Sequence, residues 1–266
     1  MPVNNQTTLC LTVRNAAAAV VCTAQSAGQA SLQMPRAWQP GDEIVLAADR
    51  WPVCLRLSFD PHVPEAEVWL AGPQMVYPIP FGEERMPYAP DAFAAPAPTL
   101  CARTVAAPVG RYDVSTNPLD RRGPTACYPH CTATAETRGE SVFAARNTID
   151  GLCDNTSHGH WPYESWGDNE DPTAEIMVEF GRPVRVDTLQ IWLRADFPHD
   201  NWWQSGTLDF SDGSSETLTF QKTGVEQVFA FAPRTVTWAK LRALKPDPTD
   251  PSPWPSLRQW RFWGQN

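Results

Sequence analysis

Two stretches of the chain concentrate the residue types from which sites are built. One is His158-Gly159-His160-Trp161-Pro162-Tyr163-Glu164-Ser165-Trp166, the other Arg194-Ala195-Asp196-Phe197-Pro198-His199-Asp200-Asn201-Trp202-Trp203. Both fall between strand-like runs, where binding and catalytic residues gather. Their chemistry suits a polyhydroxylated ligand, whose hydroxyls need paired donors and acceptors and whose C–H faces pack on rings. His158, His160, Arg194, Asp196, His199, Asp200 and Asn201 supply the first; Trp161, Trp202 and Trp203 supply the second. Neighbouring side chains of an extended segment point to opposite sides, so one of Trp202 and Trp203 is expected to face outward.

The same stretches hold acids and bases. If the site is catalytic, Asp196, His199 and Asp200 are the candidates, since glycoside hydrolysis needs two carboxylates and general acid/base work favours His. His158 and His160 would share one side of an extended segment and, with His199, make a weak zinc signal. A purely structural reading stands beside each: Trp161 and Trp166 closing the end of a barrel, Arg194 and Asp196 as an ion pair, His199 bonded to a loop carbonyl. The seven Cys are odd in number and widely spaced, which fits reduced, buried thiols better than a disulfide framework. Cys127 and Cys131 flank His130 like half a zinc site or a Cys nucleophile with its base, but no second Cys or His pair follows at zinc spacing. There is no phosphate-cradling Gly loop and no G-x-S-x-G.

The elements that must hold these loops are strands. With 27 Pro in 266 residues, a helical bundle is excluded. Hydrophobic residues make up 42% and charged residues 19%, enough apolar material for real cores. The net charge of −9 would repel a polyphosphate, so no nucleic-acid partner is expected. The N-terminus lacks a basic n-region and its near-apolar run, 16–22, is too short for a signal segment or a span, so the chain reads as cytoplasmic with no membrane partner.

Alternating runs at 9–14, 30–34, 43–47, 53–59, 66–70 and 75–79 predict an N-terminal β-sandwich, with Leu55, Leu57 and Phe59 on one face and a turn at 38–42. The stretch 81–129 is broken by Pro apart from a strand at 100–105, and its aromatic residues favour packing along the domains over a loose tether. Strand patterns return at 174–180, 184–193, 206–210, 215–220, 226–231, 236–244 and 259–263, with Asp212-Gly213 a tight turn. We therefore expect an all-β chain of three parts: a β-sandwich at 1–112, a Pro-containing connection at 113–127, and a second antiparallel domain at 128–266.

The second domain carries an ordered set of motifs. Ala145-Arg146-Asn147-Thr148-Ile149-Asp150-Gly151 is followed by Ser165-Trp166, Glu175-Ile176-Met177-Val178-Glu179-Phe180-Gly181, Val186-Asp187-Thr188-Leu189-Gln190-Ile191, Phe210-Ser211-Asp212-Gly213 and Gln259-Trp260-Arg261-Phe262-Trp263-Gly264. In order and spacing this resembles the discoidin or coagulation-factor C-type domain, a grouping that includes the family 32 carbohydrate-binding modules, over roughly residues 128–264. The resemblance implies an eight-stranded galactose-binding-like jelly roll with ligand loops at one end. It also implies a structural cation. Asn147 would give a carbonyl, Asp150 its carboxylate, Asn155 or Thr156 further oxygens, and the last strand a Glu, where this chain has Gln259. Such an oxygen shell suits calcium, weakened by the missing charge. The alternative is that Asp150-Gly151 is a turn closed by an Asx bond.

Three functions stay open on the sequence: noncovalent carbohydrate binding through the aromatic and polar loops, which the resemblance favours; a small intracellular carbohydrate-active enzyme using the same loops; and an interaction subunit docking on a partner or forming a homo-oligomer.

Overall fold

A computed structural model describes residues 6–155, 157, 159–195 and 200–266. The chain divides into two units, Met1–Ala107 with Pro124–Tyr128, and Pro108–Gly123 with Pro129–Asn266. Among the described residues no helix is long and apolar enough to cross a membrane.

The first unit is a pair of antiparallel sheets. Its strands are β1 (Thr8–Arg14), β2 (Val20–Ala27), β3 (Gln29–Gln33), β4 (Glu43–Ala48), β5 (Val53–Ser58), β6 (Ala66–Leu70), β7 (Gln74–Pro78), β8 (Thr99–Thr104) and β10 (Cys127–Tyr128); β9 (Tyr112–Asp113) belongs to the second unit. One sheet runs β2-β1-β4-β7, the other β10-β6-β5-β8-β3. Period-two alternation puts Leu9, Leu11 and Val13 of β1 in the core, together with Leu55 and Leu57 of β5 and Phe59 just beyond it. The turn at 38–42 is pinned by Asp42, whose carboxylate accepts from the Gln39 N–H (2.8 Å) and the Arg36 guanidinium (2.7 and 2.9 Å). β2 is absent from the sequence reading. It is an edge strand with no buried residue, so its side chains carry no alternation to read.

In the second unit eight strands form one antiparallel sheet, consistent with a jelly roll. They are β9, β11 (His130–Ala133), β12 (Trp166–Gly167), β13 (Ile176–Leu193), β14 (Trp203–Phe210), β15 (Ser215–Thr219), β16 (Gln227–Pro246) and β17 (Ser256–Gln265). Their order is β12-β17-β13-β16-β14-β15, with β11 on β13 and β9 on β17. The runs expected at 174–180 and 184–193 are one strand, β13, and those at 226–231 and 236–244 are one strand, β16. Their pairing slips between Glu179 and Val184 and again between Val186 and Thr188, so bulges bend the strands without ending them. The Asp212-Gly213 turn is as expected, with the Ser214 N–H donating to Asp212 (2.9 Å) and Gly213 at φ 84°.

The core of this unit is aromatic. Trp166, Trp203, Trp260, Phe180, Phe210 and Phe262 are fully buried, and Trp260 meets Phe262 edge-on at 5.3 Å. Short 3-10 turns at Thr137–Gly139, Ser141–Phe143 and Ala145–Ile149 precede β12 and carry the first motif residues.

Candidate functional site

A cleft of about 220 Å³ opens in the second unit, lined by Thr137, Arg138, Phe143, Arg194, Asp200, Trp254 and Ser256. Three segments far apart in sequence make it: the 3-10 turns at 137–143, the chain leaving β13, and the Pro-rich loop entering β17.

Backbone constraints place Arg138. It has φ 53°, an uncommon conformation for a non-glycine residue, and its N–H donates to Asn169 Oδ1 at 2.9 Å. Asn169 in turn donates its N–H to Thr137 Oγ1 (3.3 Å). Gly167 of β12 packs so closely that a Cβ there would collide with the Thr137 hydroxyl. Held this way, the Arg138 guanidinium lies 5.3 Å from the Phe143 ring and 5.8 Å from the Trp254 ring. Two hydrogen bonds to Glu140, at 2.7 and 3.0 Å, fix its rotation and hold the Glu140 carboxyl below the usual range.

Arg194 and Asp200 are almost fully buried, with Nε and Oδ2 3.6 Å apart. Arg194 is anchored by its N–H to the Ser256 carbonyl (2.9 Å) and by Nη1 to the Tyr163 carbonyl (2.6 Å). A desolvated charge pair with its own hydrogen bonds holds its geometry, so the cleft offers fixed donors and acceptors beside a flat apolar and guanidinium surface. That combination can bind a small hydroxylated ring by stacking and directed hydrogen bonds.

The residues expected from the sequence are distributed differently. Arg194 and Asp200 reach the cleft. Trp203 is fully buried in the core, 5.6 Å from Trp166 in a stacked pair, and its indole N–H donates to Asp168 Oδ2 (3.2 Å). Trp202 is half-buried and donates its indole N–H to Asp247 (3.2 Å). Asn201 is buried, donating to the carbonyls of Asp247 (3.2 Å) and Ser252 (2.7 Å), and so ties the start of β14 to the loop that carries Trp254. His160 is exposed, and Trp161 is half-buried with no hydrogen bond to its indole N–H among the described residues. His158, Asp196 and His199 lie outside the described residues, as does Thr156. The sequence reading missed Arg138, Phe143 and Trp254. Trp254 had a signal, a Trp enclosed by Pro253 and Pro255 in an irregular loop, whereas Arg138 and Phe143 have none beyond residue type.

Two carboxyls near this end are perturbed. Burial pushes Asp168 up to about 6 against the bonds from Glu170 and Trp203. Burial likewise pushes Asp150 up to about 6, against the attraction of Arg258. Away from the cleft, Cys131 is fully buried with its thiol pushed far up by burial, which removes it as a nucleophile. His130 pairs with Asp120 at 2.7 Å; burial favours the neutral ring, but the Asp120 bond and charge overcome it and raise the imidazole above its usual range. The seven cysteines are free thiols.

Of the residues expected to hold calcium, Thr156 lies outside the described residues, and the side chains of the others make the following contacts. Asp150 Oδ1 accepts the Leu152 N–H (2.8 Å), which is the Asx-closed turn, with Gly151 at φ 90°. Asn147 Oδ1 accepts from the Arg146 guanidinium (3.0 Å). Asn155 Oδ1, with its amide oriented to satisfy both ends, accepts from Arg194 (3.1 Å). Gln259 is fully buried and neutral, its amide unbonded among the described residues. No group of three His, Cys, Asp or Glu side chains placed to hold a metal occurs among the described residues.

No protein-family model matches the chain, and no curated protein is similar to it. Its structure does match several family 32 or related carbohydrate-binding modules at low identity. Chitosan-binding module 1 from a chitosanase/glucanase of Paenibacillus sp. IK-5 is 15% identical, over 57% of this chain and 98% of that one, with a TM-score of 0.41. The family 32 module of C. perfringens NanJ, solved with galactose, is 16% identical over 50% of this chain and 91% of its own, at 0.36. The module of AlyQ, solved with 4,5-unsaturated mannuronic acid, is 15% identical over 50% and 92%, at 0.37.

Proposed function

We propose that the second unit binds carbohydrate noncovalently in the cleft between Arg138, Phe143 and Trp254 on one side and the Arg194–Asp200 pair on the other. The observation that carries this reading is the guanidinium held across two aromatic rings beside a buried, hydrogen-bonded charge pair. The rings and guanidinium give the C–H face of a sugar a flat partner, and the charge pair gives its hydroxyls both donor and acceptor. The ordered motifs from Asn147 to Gly264 support it independently. At about 220 Å³ the cleft is smaller than the roughly 300–1,000 Å³ of sites for drug-sized ligands, which favours a single sugar residue or a chain end over an extended oligosaccharide.

Binding is favoured over turnover by the charge arrangement. Among the described residues that line the cleft Asp200 is the one carboxylate, and a buried arginine faces it. Hydrolysis with acid and base needs a second carboxyl across the bond and a proton-binding group near working pH. A glycan array followed by product analysis on each bound sugar tests the reading. Binding without new products is expected; new products would establish an enzyme, and silence across the array from a chain of defined oligomeric state would favour an interaction subunit.

A further inference from the structure

Four charged side chains are buried together where residues 145–165 cover β17. Arg146, Asp150, Glu164 and Arg258 are each at most 6% exposed. Isolated buried charges are strongly penalised, so such a group persists only if its members pair. Arg258 is the centre of the pairing: Nη2 donates to Glu164 Oε1 at 3.0 Å, Nε donates to the Asp154 carbonyl at 3.2 Å, and Nη1 lies 3.8 Å from Asp150 Oδ2. Arg146 fills in behind, donating to Asn147 Oδ1 (3.0 Å) and the Pro118 carbonyl (3.1 Å).

A bulge puts Arg258 there. Gln259 pairs with Trp192 while Leu257 pairs with Leu193, so Arg258 is the extra residue in β17. By parity it would point into the core with Trp260 and Phe262; instead it contacts Asp154, Asp150 and Glu164 on the covering turns. Two guanidinium groups against two carboxylates already balance. A divalent cation placed among them would leave two uncompensated positive charges in a desolvated site, where both Glu164 oxygens and Asp150 Oδ1 already accept hydrogen bonds and only Asp150 Oδ2 and Gln259 Oε1 accept none among the described residues.

We propose that Arg258 performs the role the resemblance assigns to calcium. Its guanidinium bonds the Asp154 carbonyl and Glu164 and sets a positive charge 3.8 Å from the Asp150 carboxylate, and the loops of this unit fold without a divalent cation.

The test is thermal unfolding of the full chain with EDTA, with added calcium and with neither, alongside metal analysis of the purified protein and the same measurements on Arg258→Met. The expected result is a wild-type Tm indifferent to chelator and calcium, no stoichiometric metal, and a fall of roughly 10 °C in Arg258→Met, on the scale of breaking a buried pair. A Tm lowered by EDTA, calcium that co-purifies at one per chain, or an Arg258→Met protein melting with wild type would each overturn the proposal. Should Arg258→Met give no folded protein, Glu164→Gln/Arg258→Met replaces it, since it removes the carboxylate left unpaired. Recovery of a folded protein in that double variant supports the proposal, and continued failure to fold overturns it.

Discussion

Replacing Trp203 separates a core tryptophan from a ligand platform. Its side chain is fully buried, stacks on Trp166 at 5.6 Å and donates to Asp168 at 3.2 Å. A buried aromatic side chain of about 150–250 Å² at about 25 cal/mol/Å² gives roughly 4–6 kcal/mol, in line with about 3–5 kcal/mol for truncating a buried Phe or Trp to Ala. Asp168 loses a donor as well, worth about 1 kcal/mol. For a unit of this size each kcal/mol moves the midpoint by about 2–4 °C, so Trp203→Ala should lower the Tm of the second unit by roughly 8–20 °C. Trp203→Phe keeps one ring of the stack but loses the N–H bond and part of the buried ring volume, for a fall of about 4–10 °C. Scanning calorimetry at pH 7 reads both. A Trp203→Ala protein that melts with wild type but loses sugar affinity would refute the reasoning, because it would place the indole at the ligand.

Asp168 also sets a pH dependence. Its carboxyl rises from 3.8 to about 6 on folding, so between these values the folded state binds its proton more tightly than the unfolded state and stability falls as pH rises. Asp168→Asn, which keeps an acceptor for the Trp203 indole, should flatten the denaturation midpoint between about pH 4 and 6 by up to about 3 kcal/mol, and an unchanged slope would contradict the assignment. The carboxylates lowered by exposed partners, such as Glu140 with Arg138 and Asp187 with Arg111, act in the opposite sense: their contribution is full above their unfolded values of 4.5 and 3.8 and is lost as pH falls from there through the lowered folded values. Gly167→Ala should cost about 1–3 kcal/mol by driving a methyl into the Thr137 hydroxyl. Adding Thr137→Ala should return part of it, so urea midpoints that add without coupling would count against the packing described.

The strands of both units were legible where one face is buried and the other is not. Residues 66–70 coincide with β6, whose Ala66, Val68 and Leu70 alternate with half-buried neighbours. β2 was not, because both of its faces are largely open. Gly181-Arg182-Pro183 read as a break between two strands, since Gly and Pro there mark a turn as readily as a bulge. The same ambiguity hid Trp203. Counting back by twos from Phe210 through Leu208 and Gly206 reaches Gln204 and leaves Trp203 outside, but the register slips between Trp203 and Ser205 and between Ser205 and Thr207, which turns Trp203 inward. Of the cleft, the sequence marked Arg194 and Asp200 because they sit in a polar aromatic cluster. Trp254 is over a hundred residues from Arg138 and Phe143, and it meets them only through the fold.

The most direct test of the binding account is a calorimetric titration of the best array glycan into wild type, Trp254→Ala and Trp202→Ala. Trp254 lines the cleft, whereas the Trp202 indole is tied to Asp247. Loss of one aromatic anchor is worth about 1–3 kcal/mol, so Trp254→Ala should bind about 5- to 150-fold more weakly at one site per chain, with the Tm of the unit retained and Trp202→Ala binding as wild type does. Wild-type affinity in Trp254→Ala would contradict the account and move the ligand out of this cleft.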